Sequence, residues 1–251
     1  MSTNIGAVLF QLAGGYLCSY SWRMPFLVYL SVLPVILIVF LLLPEPEKPE
    51  GKTNGKLRLS EILTPHVVGW SCFYSAHMIF FYPFVTEMSG IVLRNGYGSA
   101  SVSAAILSVC TGTGVLAGYA FYRIHRVCGL RTFTAAFGAC AAGYGILLLA
   151  GNAAGLLLCA AVFGLGYGLA MPTFTYYLGL SLKPELRAPS FSAYHIFSSA
   201  ASFASAYVIA FLRQVTHSSY ERFPFAVGIL FYAAAALAMF LVPLRNRRTG
   251  S

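Results

Sequence analysis

Apolar residues in this chain come in long runs separated by short polar clusters, and the runs neither alternate with polar residues nor keep to one helical stripe. A helix needs about 20 apolar residues to cross roughly 30 Å of hydrocarbon. The pattern predicts eight such helices, over residues 3–20, 24–43, 66–86, 99–122, 130–150, 154–179, 189–212 and 223–243. Strands of a membrane barrel would alternate apolar and polar side chains over about ten positions, and no segment does. The reading is an all-α integral membrane helix bundle, with the lipid bilayer as its first partner. One stretch stands apart: LPEPEKPEGKTNGKLRLSEIL, from Leu43 to Leu63, is too rich in Pro, Glu and Lys to insert, and its prolines favour an extended path. It divides the chain into residues 1–43 with two helices, a cytoplasmic linker at 44–65, a six-helix unit at 66–244 and a tail at 245–251.

Composition agrees with this solvent. Only 9% of the 251 residues are charged and 58% are hydrophobic, whereas soluble domains carry about 25% charged residues. Such a chain cannot cover a water-facing surface with polar groups. The formal charge of +9 is spread as a topology signal. With both termini cytoplasmic, 12 of the 16 Lys and Arg fall in inner segments and only Arg23, Arg94, Arg213 and Arg222 lie outside, as the positive-inside rule requires for short loops. Split among several loops, these charges form no basic face, so nucleic acid is excluded as a partner. The first apolar run lacks a basic leader and reads as a span. The six cysteines include no CxxC pair and lie mostly in spans, so neither a metal site nor a disulfide framework is implied. No phosphate loop, HExxH or GxSxG occurs, and neither enzyme activity nor a cofactor is expected.

Polar residues inside spans are costly unless they face protein or a water-filled cavity, which makes them the first candidates for a site. His77 lies near mid-membrane with Tyr74 and Phe81 three and four residues away on one helix face. An imidazole there is suited to bind substrate or carry a proton; a packed histidine bonded to neighbouring backbone is the other reading. His195, Ser199 and Ser202 recur at helical spacing with Ser198 and Ser205 beside them, a polar stripe that close-packing serines would also make. In the sixth span, Gly164, Gly166 and Gly168 weaken the helix and Pro172 removes the backbone bond to residue 168, which predicts a bend or a flexible segment. Met171, Thr175 and Tyr176 there would offer adaptable contacts to an apolar small molecule. Gly6, Gly14 and Gly15 are expected to bring the first helix close to another. None of the seven Glu sits at mid-membrane and there is no Asp, so proton coupling would have to use His77, His195 or helices not in this sequence, or be lost.

The order of features carries a resemblance. A Gly-Gly helix is followed by SWRMPFLVYL, a helix ending LLLPEPE and a charged linker; six helices come next, with GYAFYRIHRVCGLRT between the second and third and GLGYGLAMPTF in the fourth. This resembles the major facilitator superfamily of secondary transporters and, within it, the bacterial drug-efflux-like proton antiporters. The resemblance covers nearly the whole chain but starts at the family's fifth helix. It implies a twelve-helix type of bundle truncated at its N-terminus, with four helices on a longer reading frame or on a partner chain. It also implies proton-coupled efflux of amphipathic or drug-like small molecules by alternating access, across the bacterial plasma membrane. The alternative is a transport-incompetent fragment, or a half-transporter acting only with a partner chain. In the family, a glycine, an acidic residue and basic residues around a second glycine form a cytoplasmic gate. This sequence keeps Gly118, Arg123, Arg126, Gly129 and Arg131, with Tyr122 in the acidic position. The arginines would then meet helix C-termini or a carboxylate in the absent half; they would equally serve as inner-side anchors. Phe10 and Gln11 replace the Gly-Pro pair of the antiporter signature. The helix of His195 would be the family's eleventh, near its cavity.

Overall fold

The computed structural model describes residues 2–18, 20–42 and 58–242. The chain begins with α1 (Ser2–Cys18), then a 3-10 helix at Met24–Ser31 that passes into α2 (Val32–Leu42). Most of the predicted linker lies outside the described residues, as does the predicted tail at 245–251; the described end of the linker holds the four-residue α3 (Leu59–Ile62). Thr64 opens α4 (Pro65–Arg94), its hydroxyl accepting the Val67 N–H at 3.4 Å, with Pro65 in the first turn where no N–H is needed. Next comes α5 (Ala100–Cys128), which stops at Gly129, where φ is +53°, a conformation that suits a residue without a Cβ. A short turn leads to α6 (Thr132–Leu149). Asn152 then caps α7 (Ala153–Gly179) by accepting the Gly155 N–H at 2.8 Å. The series closes with α8 (Pro184–Val215), with Glu185 in its first turn, and α9 (Phe223–Leu241).

All eight predicted spans are helical and in the expected order, but several run longer. The fold is an all-α bundle of membrane-length apolar helices. At about 1.5 Å per residue, the 30 residues of α4 reach about 45 Å, beyond the hydrocarbon thickness. Its extra turns are held because Met88, Ile91 and Val92 are fully buried. The second span departs in kind, since its first eight residues are 3-10. Neither that segment nor α2 buries any residue, and a helix apolar on every side is compatible with lipid contact.

In the remaining bundle α7 is wedged between α5 and α6, α9 packs on α6, and α8 packs on α4. The wedge changes the reading of the glycines in α7. Gly164 and Gly168 face α5, where an added Cβ would collide with Cys110 and with Gly114; Gly166 faces α6, where it would strike Ala136 and Cys140. The alternate glycines therefore clamp α7 by close backbone approach, and its helix runs unbroken through Pro172. The first helix is corrected similarly. It lies on α5, with Ser101 donating to the Gly15 carbonyl at 3.0 Å and Thr111 to Gln11 Oε1 at 3.3 Å. A Cβ at Gly15 would collide with Ala104, but Gly6 and Gly14 face open space. α1 also touches the 3-10 helix at Met24–Ser31, but among the described residues Gly15 alone of the three predicted glycines makes a close helix contact.

The core is aromatic. Tyr144 and Phe163 stack at 4.4 Å, Phe84 lies 4.8 Å from Phe163, and the Tyr144 hydroxyl donates to the Phe80 carbonyl at 2.6 Å, which satisfies its polar end. At the Arg94 end of the bundle, Arg222 donates to the carbonyls of Leu147 (2.8 Å), Leu148 (3.1 Å) and Ala150 (2.8 Å), the orphan acceptors closing α6. Arg222→Ala is expected to cost about 2 kcal/mol, because bonds from a charged donor are lost. This is measurable as a lower melting temperature in nanodiscs, with Arg222→Lys in between; equal melting of wild type and Arg222→Ala would refute the clasp.

Candidate functional site

Three helices line an open cavity of about 510 Å³. From α4 come Tyr74, Met78, Phe81 and Val85, at steps of four, three and four residues, which at about 100° per residue stay on one narrow face. Tyr82 joins at its edge and Tyr167 of α7 forms the back, its ring stacked 4.3 Å from Phe81. Ser198, Ser199, Ser202 and Phe203 of α8 complete the lining. No lining side chain is charged. Tyr74 is held from two sides: its ring stacks on Tyr194 at 4.5 Å, and its hydroxyl donates to Met171 Sδ. Two of the serines satisfy themselves within α8, Ser198 donating to the His195 carbonyl at 2.9 Å and Ser202 to the Ser198 carbonyl at 2.8 Å. Ser205 instead bonds across helices to the Ile79 carbonyl at 2.6 Å, pinning α8 to α4.

Of the residues the sequence singled out, Tyr74, Phe81, Ser198, Ser199 and Ser202 are brought together here. His77 is not. It sits about 60° around α4 from Tyr74, fully buried, with ring centroids of Tyr74, Phe81, Phe137, Tyr167, Phe174 and Tyr232 at 5.6 to 6.2 Å. Neither ring nitrogen has a hydrogen-bond partner. His77 thus lies behind the cavity wall, and the backbone bond considered for it is absent. His195 shares the α8 cavity face but stands one turn nearer the helix start, exposed. Thr175 bonds back to the Met171 and Pro172 carbonyls at 3.2 and 3.0 Å. Tyr176 is exposed and packs edge-on against His125 at 4.5 Å, away from the cavity. Met171 lines a smaller space between α5 and α7.

The gate pattern is dispersed. Gly118 lies in α5 beside that smaller space, and Gly129 makes the turn, braced by Thr132, which donates to its carbonyl at 2.7 Å. Arg131 lies over the Phe240 ring at 5.1 Å. Arg123 and Arg126 are exposed and have no carboxylate within ion-pair reach among the described residues. The C-terminus of α7 is met instead by His66, whose Nε2 donates to the carbonyls of Tyr177 and Leu178 at 3.2 and 3.3 Å. The sequence reading missed His66, Arg222, Tyr82, Tyr167 and Phe203. Nothing in composition separates these from other interfacial or apolar residues.

A bundle of apolar helices long enough to cross a membrane, with an uncharged cavity between them, has the architecture of a multi-pass membrane protein that can admit a small molecule. The sequence model of the Major Facilitator Superfamily matches residues 1–206, and the chain belongs to that superfamily, as a secondary transporter of small molecules. No curated protein matches it. Membership places it in a membrane as a multi-pass protein, with a small-molecule substrate and transport in place of enzymic chemistry.

Proposed function

We propose that this protein exports amphipathic, drug-like molecules across the plasma membrane in exchange for protons, by alternating access, with both termini on the cytoplasmic side. The cavity between α4, α7 and α8 is its share of the binding surface. The observation that carries this reading is the convergence of Tyr74, Phe81 and Tyr167 with the α8 serines on one uncharged cavity. Aromatic faces accept apolar or cationic bodies without demanding one shape, and the hydroxyls orient a polar end. Tyr122, Arg123 and Arg126, all exposed at the inner end of α5 in this orientation, are placed to meet a partner surface during the cycle.

The test is ethidium movement into proteoliposomes with an acidic lumen. Uptake above protein-free vesicles that scales with the pH gradient is expected. Ser202→Trp narrows the cavity, and the hydroxyl it removes bonds only within its own helix. It should slow uptake about tenfold, which corresponds to about 1.4 kcal/mol, with an unchanged melting temperature. Ethidium movement equal to that in empty vesicles would remove the efflux reading. Uptake indifferent to the gradient would remove proton exchange and leave transport.

A further inference from the structure

A second space lies on the far side of Tyr167. It is bounded by Thr111, Val115 and Gly118 of α5 and by Tyr167, Met171 and Pro172 of α7, and holds about 170 Å³. A cavity of about 150 Å³ accepts benzene, so this chamber has the size of one ring. Tyr167 lines both spaces. Tyr74, on the wall of the larger, donates its hydroxyl hydrogen to Met171, on the wall of the smaller. The partition is therefore made of side chains, which change rotamer far more readily than backbone moves.

The polar groups of the chamber are chiefly acceptors, the Tyr167 hydroxyl on the partition being its one side-chain donor not bonded to a carbonyl or amide. Pro172 has no N–H to offer the carbonyl of Gly168, four residues back, and Gly168 is part of the same wall, so an acceptor is left there without its helical donor. Thr111 directs its hydroxyl hydrogen to the Leu107 carbonyl at 3.0 Å or to Gln11 Oε1 at 3.3 Å, which leaves its lone pairs free to accept. No side chain lining the chamber carries a charge or an N–H. A bare hydrocarbon ring would fill the volume but leave these acceptors unpaired, whereas a ring with a donor pairs them.

We infer that the chamber between α5 and α7 is a second subsite for the transported molecule, taking one ring that bears an N–H or O–H donor, with Tyr167 dividing it from the larger cavity. This rests on the transport reading of that larger cavity. The carbonyl of Gly168 and the hydroxyl of Thr111 receive the donor, and Met171 and Tyr167 cover the ring faces.

The experiment is photolabelling of the full chain in nanodiscs with 4-azidoaniline, against phenyl azide as the analogue without a donor, with labelled residues identified by peptide mass spectrometry. Label on Val115, Met171 or Tyr167, at least about tenfold stronger for 4-azidoaniline and displaced by aniline, is expected. Val115→Phe should fill the chamber and remove this label. Val115→Ala should keep both the label and the fold, so that loss in the first variant is not mistaken for misfolding. Label confined to Ser199 and Phe203 would overturn the subsite and leave the larger cavity standing. Label on neither surface would overturn both readings, and equal chamber labelling by phenyl azide would overturn the demand for a donor.

Discussion

Gly168→Leu is expected to prevent the bundle from assembling, and Gly164→Val combined with it to leave no monodisperse protein after mild detergent extraction. At both positions the new side chain meets backbone of α5, Gly114 for the first and Cys110 for the second, and backbone in a helix cannot turn aside as a rotamer does. Overpacking costs about 1–3 kcal/mol where neighbours can adjust, and more where they cannot. Total stability is commonly only about 5–15 kcal/mol. On the other side of α7 the Gly166 contact with α6 blocks the obvious relief, a shift of the whole helix away from α5. Gly138→Ala and Gly145→Ala, where nothing lies within 4 Å of the added atom, should be silent. A Gly168→Leu protein that elutes and melts like wild type would show that the α5–α7 contact is not close in the membrane.

His77→Met is expected to raise the melting temperature while abolishing the pH-gradient dependence of ethidium uptake. The stability gain follows from two ring nitrogens buried without partners, each of a kind that costs about 1–3 kcal/mol. Methionine has a similar volume and a sulfur that packs well on aromatic edges. The functional loss follows from position. Phe81 and Tyr167 separate His77 from the cavity; under the proposed proton exchange, a proton would reach the imidazole only when that wall opens, which would link substrate occupancy to proton access. The titratable side chains facing it are Tyr74, Tyr167 and Tyr232, from α4, α7 and α9, while α6 contributes Phe137. None of these is charged near pH 7. A stabilised variant that still follows the gradient would reduce His77 to a packing residue and move the proton to another group. A destabilised one would show that the imidazole has a bonding partner in the membrane.

Two residues on α8 show how far a polar stripe can be read. Ser202 and His195 lie on the same helical face, yet Ser202 lines the cavity and His195 stands clear of it. Spacing gives the angle around an axis, while the height of a cavity along that axis depends on the neighbouring helices. On α4 the failure is angular: Tyr74 and Phe81 share a face, and His77 between them is rotated far enough to be enclosed by rings. The glycines of α7 were legible as unusual but not in their role. A glycine that loosens a helix and a glycine that admits a neighbour's backbone look alike until the neighbour is known.

What the sequence by itself determined is the solvent, the all-helical class and the order of the apolar helices, because transfer into hydrocarbon is summed residue by residue within each segment. The tertiary structure alone decided which polar groups meet. Tyr74 finds Met171 across 97 residues and Arg222 reaches Leu147 across 75. Contacts at such separations depend on how whole helices pack, a property that no local pattern of hydrophobic and polar positions contains.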